Sequence, residues 1–300
     1  GYPGGAALFI YDALYKYKDK IRHVLTAHEQ GASHAADGYA RSTGKTGVVL
    51  ATSGPGATNL VTGIATAYMD SIPMVIITAN VANSLIGRDA FQETCITGIT
   101  FPVTKHSYFV NKTDELADAL RNAFRIANEG RKGPVLVDIT KDVTGATVDY
   151  QPAPNCELKK VQKEELDKKI ASFAKYINKA EKPVLYLGGG VIASEASEEV
   201  MRLMEKADIP AVNSMMAAGA VPVTDDRSFG MLGMHGSYAA NKCIAEADLV
   251  LAVGTRFSDR VALNPKKFAS KAKILQIDID KSEVSKNVTV NDAIVGDCKE

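Results

Sequence analysis

The stretch that decides the fold runs from residue 47 to residue 59, GVVLATSGPGATN. VVLATS (48–53) is a continuous run rich in apolar and β-branched residues, the signature of a strand buried on both faces. SGPG (53–56) cannot continue that strand and turns the chain. ATNLVTGIATAYMD (57–70) then carries helical spacing. Strand, glycine turn and helix make the first half of a βαβ unit. Working outward, PMVIITA (73–79), VTKHSYFV (103–110) and PVLVDIT (134–140) read as further strands, the last two flanking the helix ELADALRNAFRIANEG (115–130). Upstream, AALFIYDALYKY (6–17) reads as a helix, HVLT (23–26) as a short strand, and EQGASHAADGYARSTG (29–44) as an alanine-rich helix closed by Gly44. This alternation predicts an α/β fold on a parallel sheet.

TGATVDYQPAPNCELKK (144–160) breaks the rhythm with two prolines and no helical period. It reads as an interdomain linker. A second alternating set follows: helix 163–180, strand PVLYLGG (183–189), helix SEEVMRLMEKAD, strand PAVNS, a Gly/Met-rich stretch (215–236), helix YAANKCIAEAD, and strands LVLAVG (249–254) and KILQIDI (273–279). The expected organisation is two doubly wound parallel-sheet domains, 1–145 and 163–300, joined by a linker over 146–162. The chain starts at Gly1 inside a loop and stops just after the strand-like AIVGD, so it reads as a fragment.

Thirty-five Lys and Arg balance 35 Asp and Glu, with no long single-sign block. That argues against a nucleic-acid or acidic-membrane binder, since both need a basic excess. No run approaches the roughly 18 apolar residues that a membrane span needs. The cysteines (Cys95, Cys156, Cys243, Cys298) are far apart and the five histidines lack HExxH spacing. A structural metal site is not expected, and unclustered thiols suit a reduced, cytoplasmic protein.

Three segments of the first domain carry chemistry. GYPGGA (1–6) precedes AHEQGASHAADGYAR (27–41), where Glu29 stands at a helix start among alanines. A carboxylate so poorly hydrated should have a raised pKa, which suits proton shuttling near neutral pH. The same residue also suits a solvated helix N-terminus stabilised by the helix dipole. TSGPGATN (52–59) gives close backbone approach at the carboxyl end of a strand, where α/β folds bind ligands, although glycine turns also arise for steric reasons alone. AFQE (90–93) lies in a long polar loop, and loops of that length in compact domains are often functional.

Together, GYPGGA, AHEQGASHAADGYAR, TSGPGATN and DAFQE resemble the pyrimidine-binding domain of thiamine-diphosphate enzymes, and within those the large catalytic subunit of acetolactate synthases. The resemblance covers nearly the whole chain. It implies that Glu29 hydrogen-bonds N1′ of the cofactor's aminopyrimidine. Sharing a proton there favours the imino tautomer, whose nitrogen deprotonates the thiazolium C2. It further implies that Tyr2, Thr52, Pro55 and Asn59 wall the pyrimidine pocket and that Gln92 faces the reacting centre. Gly5, Ala6, Phe91, Lys141 and Met234 would line the substrate channel. Glu29 argues against glyoxylate carboligase, a relative that lacks this glutamate. His28 reads as structural, and Lys141 also suits a solvated loop.

In the second domain Gly188, Gly190 and Ala193 fit G-x-G-x-x-A after a strand. An NAD site would want an acid at the end of the next strand, but that strand ends in Asn213 and Ser214, so NAD is disfavoured. The resemblance points instead to FAD. LGMHG (232–236), GTRFSDRV (254–261), IDID (277–280) and GD (296–297) look like its elements. The implied contacts are Gly188, Gly189, Gly190, Ser214, Met215, Leu232, His235, Gly254, Arg256, Arg260, Asp278, Ile279, Asp297 and Cys298. Arg256 can fork onto a phosphate; Asp278 and Asp297 are acceptors for ribose or adenine groups.

Three positions depart from the family pattern. Ser258 replaces an Asp, NSMMAAG (213–219) replaces a more usual TTLMGLG, and Ala82 stands where Pro is common, which is expected to loosen the loop towards Gln92. The resemblance implies condensation of two pyruvates, or of pyruvate and 2-oxobutyrate, with loss of carbon dioxide, in branched-chain amino-acid synthesis. It also implies a homodimer or homotetramer with its active site at the dimer interface, and a regulatory small subunit. A C-terminal domain that binds diphosphate and magnesium is missing, so the fragment alone should be inactive. Another thiamine-diphosphate 2-oxo acid decarboxylase or oxidase, or a non-catalytic nucleotide-binding relative, remain as alternatives.

Overall fold

The computed structural model describes residues 1–152 and 163–300, which fall into two compact units, Gly1–Leu158 and Lys159–Glu300. Most of the expected linker, residues 153–162 with Cys156, lies outside the described residues.

The N-terminal unit is built on β1 (Gly47–Ala51), β2 (Met74–Asn80), β3 (His106–Val110) and β4 (Pro134–Thr140). They form one parallel sheet in the order β1-β2-β4-β3. Its helices are α1 (Leu8–Lys16), α2 (Glu29–Thr43), α3 (Pro55–Thr58), α4 (Val61–Asp70), α5 (Ile96–Thr100), α6 (Leu116–Asn128) and α7 (Lys141–Gly145). Alternate side chains of β2 serve two cores, as strand geometry requires. Met74 and Ile76 join Ala32, Ala36, Leu60 and Ile64 on one side, and Val75 joins Val135, Ala119 and Ala123 on the other. Both faces are therefore covered, which is why the strands read as continuous apolar runs. Two glycines let α2 sit close. A Cβ at Gly47 would overlap the carbonyl of Ala36, and one at Gly63 of α4 would overlap the Ser33 side chain.

Three local expectations change. HVLT forms no strand: it meets Gly1, whose amino group donates to Val24 O and whose O accepts from the Thr26 N–H, and Val24 and Leu25 stay exposed. The third strand starts at His106, because Phe101–Val103 makes a 3-10 turn around Pro102. The helix read over 57–70 is broken after α3 and restarts at Val61.

The C-terminal unit carries β5 (Pro183–Leu187), β6 (Ala211–Asn213), β7 (Ser228–Met231), β8 (Leu249–Val253), β9 (Lys273–Asp278) and β10 (Asp292–Val295). All run parallel in the order β10-β9-β8-β5-β6-β7. Helices α8 (Lys163–Lys179), α9 (Gly189–Ala193), α10 (Ser197–Ala207) and α11 (Tyr238–Glu246) complete it. The edge strand β7 lies inside the stretch read only as Gly/Met-rich. Leu185, Leu187, Val200 and Met204 fill one core, and Val184, Tyr186, Ile244 and Phe257 the other. Two doubly wound parallel-sheet units are thus the architecture. Among the described residues no helix is long and apolar enough to cross a membrane.

Candidate active site

The N-terminal unit gathers its marked residues at the carboxyl end of β1. Glu29 is the first residue of α2 and only 7% exposed. His28 caps that helix, its Nδ1 accepting from the Gln30 N–H at 3.0 Å, which ties up this imidazole in building the helix end. Glu29 Oε2 accepts from Asn59 Nδ2 at 3.0 Å. Its other oxygen faces the glycine turn, since a Cβ added at Gly56 would lie 3.2 Å from Oε1. The carboxylate is therefore held by one neutral amide, with its second oxygen beside bare backbone.

The turn is shaped by sterics. Gly54 has φ +56° and ψ −120°, a conformation that glycine adopts without Cβ strain. Pro55 opens α3 at its first position and stays exposed. Thr52 is buried, its Oγ1 has no hydrogen-bond partner, and its side chain packs where a Cβ at Gly4 would be. Tyr2 donates its N–H to Leu50 O and leaves its ring half-exposed. Gln92 comes from the far loop: a Cβ at Gly54 would stand 2.7 Å from Gln92 O. Neighbouring Phe91 is 87% exposed.

Other marked residues sit elsewhere. Gly5 is exposed, while Ala6 packs into a small core with Ala7 and Ala79. Lys141 begins α7, and its N–H donates to Val81 O at the loop's root. Tyr11, read only as a helical apolar position, belongs near the site: burial, then the charge of Glu29, push its hydroxyl up to about 12. Asp138 was also missed. It lies inside β4 and accepts from Thr78 Oγ1 (2.6 Å) and Asn80 Nδ2 (2.7 Å), and burial pushes it up to about 6 against those two hydrogen bonds. An acid inside the apolar run PVLVDIT was the available signal, because a buried carboxylate needs partners.

In the C-terminal unit the marked segments also meet at strand ends. Gly188 and Gly190 lie against Gly254, and a Cβ at Gly190 would fall 2.6 Å from Gly254 Cα. Gly190 N–H donates to Gly254 O. Met216 packs over Gly189. Asp278 Oδ1 accepts from the Asp280 N–H, and Asp297 Oδ1 from the Lys299 N–H. Burial, Asp297 and Asp278 together push the Cys298 thiol up to about 12, so these three cluster. Arg256 is half-buried, and Arg260 and Ile279 are exposed. Leu232 is a core residue, whereas Met215, Met234 and His235 are exposed, and Ser214 donates its N–H to Leu187 O.

Residues 1–99 match the family described as thiamine pyrophosphate enzyme, N-terminal TPP binding domain, and residues 170–300 match its central domain. The chain belongs to the thiamine pyrophosphate enzymes. It is 50% identical over 301 residues to an acetolactate synthase of Mycobacterium leprae, covering all of this chain and 48% of the relative. An acetolactate synthase large subunit of Buchnera aphidicola from Acyrthosiphon pisum is 48% identical over 304 residues, with 53% of its length covered. A probable acetolactate synthase large subunit of Methanocaldococcus jannaschii is likewise 48% identical, with 51% covered. The chain thus spans about half the length of these relatives. The residues present fit the thiamine pyrophosphate cofactor: an acid at Glu29, an orphaned Thr52 hydroxyl, and a turn whose Gly54 and Gly56 let Gln92, Thr52 and Glu29 come close together.

Proposed function

We propose that this chain is part of an acetolactate synthase that joins two pyruvates, or pyruvate and 2-oxobutyrate, releasing carbon dioxide. The observation that carries the reading is the buried Glu29 carboxylate, with one oxygen on Asn59 and the other beside Gly56, in a chain whose relatives bear that name. When bound, thiamine diphosphate would supply the electron sink that makes loss of carbon dioxide favourable. The protein's part is proton management and orientation. Glu29 would hold a proton at an aminopyrimidine ring nitrogen, because its free oxygen can share one while Asn59 fixes the other. Thr52, Tyr2 and Pro55 would bound that ring, and Gln92 would present an amide to the reacting centre. Lys141, Phe91, Gly5 and Ala6 would line the approach of the 2-oxo acid. Magnesium would accompany the diphosphate outside these residues. In full-length enzyme, Glu29→Gln should lower acetolactate formation about 10²-fold or more. Turnover within a few-fold of the parent would end the assignment.

FAD is the second ligand we propose, at the strand ends of the C-terminal unit. Arg256 would pair with a phosphate, and Asp278 and Asp297 would accept from ribose or adenine groups. The Gly188–Gly190 turn, Ser214, Met215, Leu232, His235, Gly254, Arg260, Ile279 and Cys298 would complete its surroundings. β6 ends at Asn213, with Ser214 next in the chain, and so lacks the acid a nicotinamide site wants. Titration with FAD and with NAD should show saturable binding of the flavin alone; binding of NAD would reverse the reading. A cytoplasmic homodimer or homotetramer with a regulatory small subunit completes the proposal.

A further inference from the structure

We propose that Glu93 is a positioning residue that shapes residues 87–92 so that Gln92 seats against the Gly54 turn. This rests on the reading that Gln92 faces the reacting centre. The loop tip is conformationally costly, because Gly87, Asp89 and Gln92 all have positive φ, at +76°, +53° and +59°. Two of these residues carry side chains, and such backbone persists only where its surroundings over-determine it. Glu93 provides that determination. Its Oε1 accepts from the Gly87 N–H, and its Oε2 accepts from the Ala90 N–H at 3.0 Å. Its own N–H donates to Ala90 O at 2.9 Å. One carboxylate thus closes the chain from 87 to 93 into a ring of hydrogen bonds.

The loop's root is tied by different groups. Asp142 Oδ1 accepts from the Asn83 N–H at 2.9 Å, and the Lys141 N–H reaches Val81 O. Without the Glu93 carboxylate the root would stay in place, while the tip would keep only backbone bonds such as Arg88 N–H to Leu85 O and Glu93 N–H to Ala90 O and would loosen. The backbone N–H groups of Gly87 and Ala90 hold the Glu93 carboxyl below the usual carboxylate range, in keeping with charge-assisted bonds to the ionised form. Gln92 meets Gly54 through its backbone and Cβ, so a change of φ at this residue would redirect its amide.

The test uses full-length enzyme and the variants Glu93→Ala, Glu93→Gln, Gln92→Ala and the double variant Gln92→Ala/Glu93→Ala. Glu93→Ala should lower kcat about 10²-fold, the scale set by an ångström of misplacement. The affinity for thiamine diphosphate, measured by calorimetry, should stay within about twofold. Glu93→Gln keeps one acceptor oxygen and should fall between the two. On the Gln92→Ala background, loss of Glu93 should cost less than about twofold more, because coupled residues are non-additive. Hydrogen exchange should quicken at Gly87 and Ala90 and stay unchanged in β2; this readout holds for Glu93→Gln even if the alanine variant folds poorly. A Glu93→Ala enzyme with parental kcat, or losses that multiply with those of Gln92→Ala, would overturn the proposal. A fully active Gln92→Ala enzyme would instead sink the reading of Gln92 and the proposal with it.

Discussion

Both units end a buried parallel strand in a glycine-rich turn, yet the glycines answer different demands. At 53–56 the missing side chains let Gln92 close over Gly54 and let the Thr52 side chain and Glu29 Oε1 approach Gly56, so the turn packs against functional groups. At Gly188 and Gly190 the missing side chains make room for the turn at Gly254, so backbone meets backbone. The same sequence signal therefore marks a cradle in one unit and a joint in the other. Gly188 and Gly190 are accounted for by that joint before any ligand is invoked.

Substitution can break this comparison. The largest effect belongs to Gly188→Ala, whose Cβ would overlap the Gly254 carbonyl. Rigid backbone on both sides should make it cost about 3 kcal/mol in the C-terminal unit, read from its denaturant midpoint. Gly54→Ala should cost less stability, about 1–2 kcal/mol for the positive φ. Its larger penalty should be in turnover, because the Cβ pushes on Gln92. If Gly54→Ala unfolds its unit while Gly188→Ala is silent, the assignment of cradle and joint is reversed.

A second contrast concerns one fully buried polar residue in the middle of a strand of each sheet; the C-terminal unit also buries the acids Asp278 and Glu283. The C-terminal unit buries a neutral amide, Gln276, whose Nε2 donates to Thr255 O and Glu283 O. The N-terminal unit buries an acid, Asp138, pushed up to about 6. A carboxyl raised in the folded state binds its proton more tightly there than when unfolded. Between its unfolded value and about 6, stability therefore falls as pH rises. Lowering the pH from about 7 to 5 should gain about 1 kcal/mol from this group. The gain should vanish in Asp138→Asn when unfolding is compared at the two pH values.

The smallest expected effect is at Ala82. Its φ of −60° and ψ of 145° already suit proline, so this backbone is not distorted by the alanine. Ala82→Pro should stabilise the N-terminal unit by about 0.5 kcal/mol, by restricting the unfolded chain.

Strands such as VVLATS and PMVIITA were legible because burial on both faces leaves no polar alternation to confuse them. HVLT looked similar over four residues, but a strand needs a neighbour, and four letters do not reveal one. β7 was hidden because a short edge strand carries little apolar signal. At the site, Glu29, Asn59 and Gln92 stood out by motif, and the structure brings all three to the SGPG turn. Glu93 was passed over because a carboxylate whose work is to bind backbone N–H groups resembles a solvated one in sequence. Asp138 showed only as an acid inside an apolar run, because its partners Thr78 and Asn80 lie about sixty positions away.

Gly47 and Gly63 hold α2 from β1 and α4 without touching the turn that Glu29 faces. Their consequence is for mutational tolerance. In a saturation library of the N-terminal unit, these two sites should be nearly as intolerant as Glu29. Larger residues there would lift α2 and carry the carboxylate with it. A map of inactive variants would then outline the scaffold that aims the acid, well beyond the pocket that contains it.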